Sequence, residues 1–188
     1  MSRRLVYVIG PSGAGKDSVL QGLRAAWPQA STAHWARRTI TRPAGAGGEV
    51  HEAVDAATFE QLRSAGVFAL HWTAHGLGYG VRQTELAPLH EQRWVFVNGS
   101  RAHLSPLLAQ WPEATVVHIT ASPQVLARRL AARGRETGQD IAQRLAREVP
   151  VALPAGAIQI ENSHTLADAV DRLRLALDRR ARDTATPD

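Results

Sequence analysis

Residues 10–16, GPSGAGK, have the types and spacing that most clearly indicate a chemistry. Their glycines let successive backbone N–H groups turn toward a bound anion, and the lysine adds a positive point charge. An apolar run precedes the loop and an amphipathic segment follows it, as expected for a strand, a turn and a helix. This context favours binding of nucleoside triphosphate phosphates over an ordinary glycine turn. The residues assigned to this phosphate loop are Gly10, Pro11, Ser12, Gly13, Ala14, Gly15, Lys16, Asp17 and Ser18.

The residue after the lysine departs from the phosphate-loop pattern, because Asp17 stands where Ser or Thr is expected. The usual hydroxyl coordinates Mg²⁺, and a carboxylate is also a hard oxygen ligand for that ion. Two later candidate core strands end in Asn98 and Thr120, so neither offers an aspartate to hold the metal. We therefore predict that Asp17 helps to bind Mg²⁺. The alternative is that it stabilises only the start of the helix, with Ser18 in the hydroxyl role.

The composition is that of a globular protein, with 44% hydrophobic and 21% charged residues, and the length favours one domain over residues 1–188. Cysteine is absent, which excludes disulfides and cysteine nucleophiles and fits a cytoplasmic protein. No apolar run reaches membrane-spanning length, and the run after the basic start is too short for a signal peptide, so we expect no membrane partner. The formal charge of +5 reflects either arginine-rich composition or an anionic partner, nucleic acid or a phosphorylated small molecule.

Strand-like and helix-like segments alternate along the chain, which predicts an α/β fold around a mostly parallel sheet. The apolar runs predicted as strands are residues 5–9, 67–72, 94–97, 115–120 and 157–160. The segments predicted as helices are residues 16–27, 84–91, 100–110, 123–133 and 166–180.

The string GPSGAGKDS resembles the start of the guanylate kinase family, and further segments match that family in order. TITRPAGAGGE is similar to its acceptor-binding segment, where Arg42 matches an arginine that grips the acceptor phosphate. HGLGYG resembles its HGNYYGT turn, where Tyr79 matches a phosphate-contacting tyrosine, and RLAARGRET with IAQRLARE resembles its arginine-rich lid. The resemblance implies a three-layer P-loop NTPase fold with a parallel core sheet, an acceptor-binding segment at about 34–82 and a helical lid at about 128–148.

The resemblance fails at the positions where guanylate kinases recognise the guanine base. Leu70 stands in place of the glutamate that reads guanine, VNGSRAH replaces an acidic run, and a tyrosine expected after GE is absent. The strings GKDS, ITRPA, YGV, VNGSRAHL and RGRE resemble a narrower group, the ribose 1,5-bisphosphate phosphokinases. That likeness implies ATP-dependent phosphorylation of ribose 1,5-bisphosphate to phosphoribosyl diphosphate during phosphonate use. The second phosphate of such an acceptor needs cations, and Arg82 and Arg101 are the candidates.

The nucleophile in this reaction would be a phosphate oxygen, which is largely deprotonated at neutral pH because the second pKa is about 6. No general base is required, and catalysis becomes alignment and charge neutralisation. The residues assigned to the acceptor are Arg38, Arg42, Tyr79, Arg82, Asn98 and Arg101. Those assigned to catalysis are Lys16, Arg42, Arg133, Arg135 and Arg144, with Arg129 a further lid candidate. The alternative for the lid arginines is a solvated helix face.

Three other functions remain open from the sequence. One is a nucleoside monophosphate kinase of altered specificity, because the loss of one carboxylate argues against guanine but not against every base. Another is a non-catalytic binding domain, against which the intact Gly10, Gly15 and Lys16 argue. The third is nucleic-acid binding, for which no recognised module is visible, so we expect no nucleic-acid partner. The sequence does not choose between a monomer and a homodimer.

Overall fold

The structure, a computed structural model, describes residues 2–45, 49–132 and 151–183. Its strands are β1 (Leu5–Ile9), β2 (Ala33–Trp35), β3 (Arg38–Ile40), β4 (Glu52–Ala53), β5 (Phe68–Ala74), β6 (Leu77–Arg82), β7 (Trp94–Asn98), β8 (Thr115–Thr120) and β9 (Ile158–Glu161). Its α-helices are α1 (Lys16–Ala26), α2 (Ala56–Ser64), α3 (Gln83–Leu86), α4 (Leu104–Gln110), α5 (Pro123–Ala132) and α6 (Leu166–Asp183). Short 3-10 helices cover Ser2–Arg4, Ala30–Thr32, Ala87–Glu91 and Arg101–His103.

The strands form a five-stranded sheet in the order β2-β7-β1-β8-β9 and a four-stranded sheet in the order β4-β3-β6-β5. In the larger sheet β7 pairs in parallel with β1 and β2, and β8 pairs in parallel with β9. In the smaller sheet β6 runs antiparallel to β3 and β5, while β4 is parallel to β3. The larger sheet and its intervening helices confirm the predicted α/β class.

The chain divides into two compact units, each built from two stretches of sequence. The first comprises residues 1–8 and 27–115, and the second comprises residues 9–26 and 116–188. The predicted acceptor-binding segment belongs to the first unit, and the phosphate loop belongs to the second. Most of the predicted lid, including Arg133, Arg135 and Arg144, lies outside the described residues.

The burial of side chains in the core of the first unit explains why some of its strands could be predicted from the sequence. Every residue of β7 is buried, as expected for a parallel strand that is covered on both faces. In β5 burial alternates, with Phe68, Leu70 and Trp72 buried and His71 exposed, because successive side chains point to opposite faces. The ring of Trp35 also packs in this unit, stacked on the ring of Phe96 with 4.2 Å between their centres.

The core of the second unit includes the close packing of α1 on α6. Val19 and Leu23 of α1 are buried, and so are Val170 and Leu173 of α6. A Cβ at Gly22 would lie 2.6 Å from Cγ2 of Val170, so the glycine is what permits this approach of the two helices. Among the described residues, no helix combines the length and the apolar character needed to cross a membrane.

Candidate active-site residues

The phosphate loop joins β1 to α1 in a conformation that depends on its glycines. Gly10 and Gly15 have φ values of +154° and +85°, which side chains rarely adopt. A Cβ at Gly10 would lie 2.0 Å from the carbonyl oxygen of Ile119, and one at Gly15 would lie 2.5 Å from Nδ2 of Asn162. Helix α1 begins at Lys16, directly after the loop, so its first N–H groups and positive end are available to an anion.

Lys16 and the two residues after it carry the predicted chemistry of the loop. Nζ of Lys16 donates hydrogen bonds to the carbonyl oxygens of Gly10 at 2.9 Å and Pro11 at 3.3 Å, so the ammonium group lies along the loop. Asp17 and Ser18 occupy the first turn of α1. Their oxygens are hard ligands that fit a Mg²⁺ ion taking its other ligands from phosphate and water. Within the described ranges, no group of three or more His, Asp or Glu side chains is placed to hold a metal by itself.

Asn162, which sequence reasoning missed, holds the phosphate loop. It follows β9, and its backbone N–H donates to the carbonyl oxygen of Thr120 at 2.7 Å. Nδ2 donates to the carbonyl oxygen of Ala14 at 2.8 Å, and the residue is only 2% exposed. Arg129, the described lid candidate, also approaches the loop, with Nη1 at 3.4 Å from the carbonyl oxygens of Gly13 and Ala14. The only sequence signal was an asparagine two residues after the apolar run 157–160.

The structure brings Arg38 and Asn98 together through Glu49, a residue that was not predicted, and places Arg38 beside Tyr79. Nε of Arg38 donates to a carboxylate oxygen of Glu49, and Nδ2 of Asn98 donates to the other at 2.8 Å. The guanidinium carbon of Arg38 lies 5.0 Å from the ring centre of Tyr79 and 5.9 Å from that of Trp72. Those two rings stack at 5.5 Å. Three predicted acceptor residues therefore form one connected network.

Arg42 is held by the loop that leads into β4. Its Nη2 lies 3.4 Å from Nδ1 of His51, and its Nε is buried with no hydrogen-bond partner among the described residues. The His51 ring is 6% exposed and lies between two carbonyl oxygens, that of Glu49 at 3.0 Å and that of Arg42 at 3.1 Å. The ring thus ties the two ends of this loop together. A half-buried guanidinium with an unsatisfied Nε is suited to receive an anion.

Arg82 forms a bidentate ion pair on the four-stranded sheet. Its Nε and Nη2 donate to the two carboxylate oxygens of Glu52 at 2.8 and 2.6 Å. The hydroxyl of Thr39 also donates to Glu52, at 2.6 Å. The hydrogen bond from Arg82 is the main cause that lowers the pKa of Glu52, and the pair raises the pKa of Arg82. The structure therefore places Arg82 with its charge balanced, while Arg101 begins the 3-10 helix after β7.

The segment VNGSRAH is positioned by contacts with the aromatic rings of Tyr7 and Trp72. A Cβ at Gly99 would lie 2.2 Å from the Tyr7 ring, and the Tyr7 hydroxyl accepts a hydrogen bond from the N–H of Ser100 at 3.1 Å. Burial raises the pKa of Tyr7 to about 12. His103 stacks on Trp72 at 5.4 Å, and burial lowers its pKa. Leu70 is 2% exposed and shares the buried face of β5 with Trp72, so the position of the guanine-reading glutamate belongs to an apolar core.

Comparisons with known proteins agree with the resemblance stated from the sequence. The family profile described as guanylate kinase matches residues 2–174. A ribose 1,5-bisphosphate phosphokinase PhnN of Burkholderia pseudomallei is 48% identical over 172 residues, which are 89% of this chain and 91% of the relative. A bifunctional ribose 1,5-bisphosphokinase-thymidine phosphorylase of Azorhizobium caulinodans is 44% identical over 91% of this chain, but the chain spans only 25% of that relative's length.

The fold also matches a solved structure. The crystal structure of guanylate kinase from Anaplasma phagocytophilum superposes with a TM-score of 0.65 at 17% identity, covering 94% of this chain and 85% of that one. At this identity the likeness concerns the fold alone. It confirms the predicted guanylate-kinase-like architecture.

Proposed function

Because the chain belongs to the guanylate kinase family and a ribose 1,5-bisphosphate phosphokinase is 48% identical to it, we propose that it phosphorylates ribose 1,5-bisphosphate. The γ-phosphoryl group of ATP would pass to the 1-phosphate of the sugar. The bond between the γ-phosphorus and the bridging oxygen breaks, and a bond to an oxygen of the 1-phosphate forms. The products are ADP and 5-phospho-α-D-ribose 1-diphosphate, so the chain would act in phosphoribosyl diphosphate synthesis and phosphonate use.

The observation that carries this proposal is the buried Leu70. A guanylate-type acceptor needs a carboxylate at this position, and the structure has an apolar side chain with 2% exposure beside Trp72. A carboxylate there would lose its hydration without a partner, at a cost of several kcal/mol. The phosphate loop, in contrast, keeps its glycines and Lys16. An intact donor loop with no place for a base-reading acid suits a phosphorylated acceptor that has no base.

On the donor side, the proposed roles follow from the loop geometry. The loop amides and the N-terminus of α1 would bind the phosphates of ATP, and Lys16 would exchange its loop carbonyl oxygens for phosphate oxygens. Mg²⁺, held by Asp17 or Ser18, would neutralise charge on the transferring group when it is bound. Asn162 would keep the loop in its anion-binding shape.

On the acceptor side, Arg42 and Tyr79 would hold the accepting phosphate. Arg82 and Arg101 stay the proposed cations for the 5-phosphate, as expected from the sequence. Arg38 and Asn98 would support them through their shared contacts with Glu49. The roles of Arg133, Arg135 and Arg144 in a closing lid remain predictions, since these residues lie outside the described part of the chain.

Product analysis tests the proposal directly. Purified protein with ATP, Mg²⁺ and ribose 1,5-bisphosphate should convert the 1-phosphate signal in the ³¹P spectrum into the two coupled signals of a diphosphate, while the 5-phosphate signal persists. The Lys16→Ala variant is the matched control and should lose about 100-fold or more of the rate without unfolding, because it lacks the charge on the transferring phosphates. Absence of the coupled signals with the unmutated protein would contradict the proposed reaction.

A further inference from the structure

Three of the arginines predicted for the acceptor, two on the four-stranded sheet and one shortly after β3, are each held by one residue of a single short segment, Glu49–Glu52. Glu49 binds the first of them, Arg38, and His51 contacts the second, Arg42. Glu52 forms the bidentate pair with the third, Arg82. The resemblance stated from the sequence includes Glu49 as the last residue of TITRPAGAGGE but gives no role to Glu49, His51 or Glu52.

The side chain of the segment that contacts no arginine is far more exposed than one that does. Val50 is 84% exposed, whereas His51 is 6% exposed. The Glu49 side chain is 18% exposed and its Arg38 partner 11%, so both charges have lost most of their water. Removing either member of such a desolvated ion pair leaves the other charge buried without a partner, which is destabilising.

The contacts leave Arg38 and Arg42 able to bind an anion. Glu49 engages Arg38 through Nε, and a guanidinium has four further N–H donors on its terminal nitrogens. His51 engages one terminal nitrogen of Arg42 and leaves a buried Nε without a partner in the described part of the chain. The segment therefore fixes the orientation of these side chains without occupying all of their donors.

We infer that Glu49 is a positioning residue for the acceptor, and that the segment Glu49–Glu52 preorganises the arginines that receive its phosphates. This inference rests on the proposed function only for the identity of the acceptor. Long arginine side chains lose rotamer freedom when they bind a ligand, and holding them in place beforehand avoids part of that cost. Loss of the Glu49 contact should therefore weaken acceptor binding and leave ATP binding unchanged.

The test is the Glu49→Gln variant, which keeps the size of the side chain but removes its charge. Its Michaelis constant is measured for ATP and for whichever of ribose 1,5-bisphosphate and GMP the unmutated enzyme phosphorylates better. We expect the constant for the acceptor to rise about 10-fold or more and that for ATP to change less than 2-fold. Glu60→Gln is the matched control, because Glu60 pairs with Arg63 on the exposed helix α2 and should change neither constant.

A double-mutant cycle separates positioning from general stabilisation. In an Arg38→Ala background the Glu49→Gln change should add less than 2-fold to the acceptor constant, because the group that it orients is gone. Thermal unfolding of each variant identifies any loss of fold, and Glu49→Asp, which keeps the charge, should recover part of the acceptor affinity. Equal rises for ATP and acceptor, or a Glu49→Gln variant that behaves like Glu60→Gln, would overturn the inference. If the unmutated enzyme prefers GMP, the proposed substrate is wrong, and the effect of Glu49→Gln is then judged from the Michaelis constant for GMP. If the enzyme phosphorylates neither acceptor, both the proposed function and the inference about Glu49 are overturned.

Discussion

Asn162 shows how a single side chain can set the shape of a loop that is distant in sequence. Its amide group donates to the Ala14 carbonyl oxygen and lies where any side chain at residue 15 would collide with it. The glycine pattern of the loop was predictable because the motif has a fixed local spacing. The asparagine was not, because its role follows from the position at which β9 ends. Glu49 was missed for the same reason, since only the folded chain shows that it joins Arg38 to Asn98.

Replacing Asn162 should affect ATP and not the acceptor. Asn162→Ala removes the bond to the loop, and a neutral hydrogen bond contributes about 0.5–1.5 kcal/mol, which corresponds to roughly 2- to 12-fold. We expect the Michaelis constant for ATP to rise by that factor in steady-state assays. The Gln159→Ala variant, at an exposed position of β9, is the control and should behave as the unmutated protein. An unchanged constant for ATP in Asn162→Ala would show that the loop keeps its shape without this contact.

At the scale of elements, the sequence predicted the strands that contain an apolar run and missed those that are very short or rich in glycine. All five predicted strands are present within two residues of the expected bounds. The missed strands β2, β3 and β4 are only two or three residues long, and β6, LGYGVR, contains two glycines and an arginine. Helix α2 was missed because Phe59 is its one buried residue, which leaves no apolar stripe to recognise. These elements are stabilised by contacts with neighbouring elements, which the local sequence does not reveal.

Tyr7 of strand β1 positions the segment after β7, and the stability that this tyrosine contributes depends on pH. The pKa of Tyr7 is raised from 10.0 to about 12, mainly by burial, so ionisation favours the unfolded chain. Its stabilising contribution is therefore complete below pH 10 and is lost as the pH rises to about 12, by roughly 2–3 kcal/mol.

Urea unfolding of the unmutated protein and of Tyr7→Phe at a series of pH values measures this effect. The difference in the free energy of unfolding between the two should shrink by that amount between pH 10 and 12. A difference that stays constant across this range would show that the Tyr7 hydroxyl ionises as freely in the folded protein as in the unfolded chain.

At the scale of the whole molecule, the family match over residues 2–174 spans both compact units. The part of the site that departs from guanylate kinases belongs to the first unit, where Leu70 is buried and Trp72 stacks on His103 of the segment after β7. The phosphate loop of the second unit retains the family pattern apart from Asp17. Donor chemistry was therefore predictable from a local motif, whereas acceptor chemistry had to be judged from residues that are far apart in the sequence.

Acceptor choice is the most direct test of the account. The ratio of kcat/KM for ribose 1,5-bisphosphate to kcat/KM for GMP is measured with the same ATP and Mg²⁺ concentrations. A site that lacks the base-reading carboxylate leaves the polar edge of guanine unpaired, and an apolar pocket rejects an added polar group by about 100-fold. We predict that the sugar bisphosphate exceeds GMP by at least about 100-fold. A ratio of one or less would contradict the account and make the chain a nucleotide kinase.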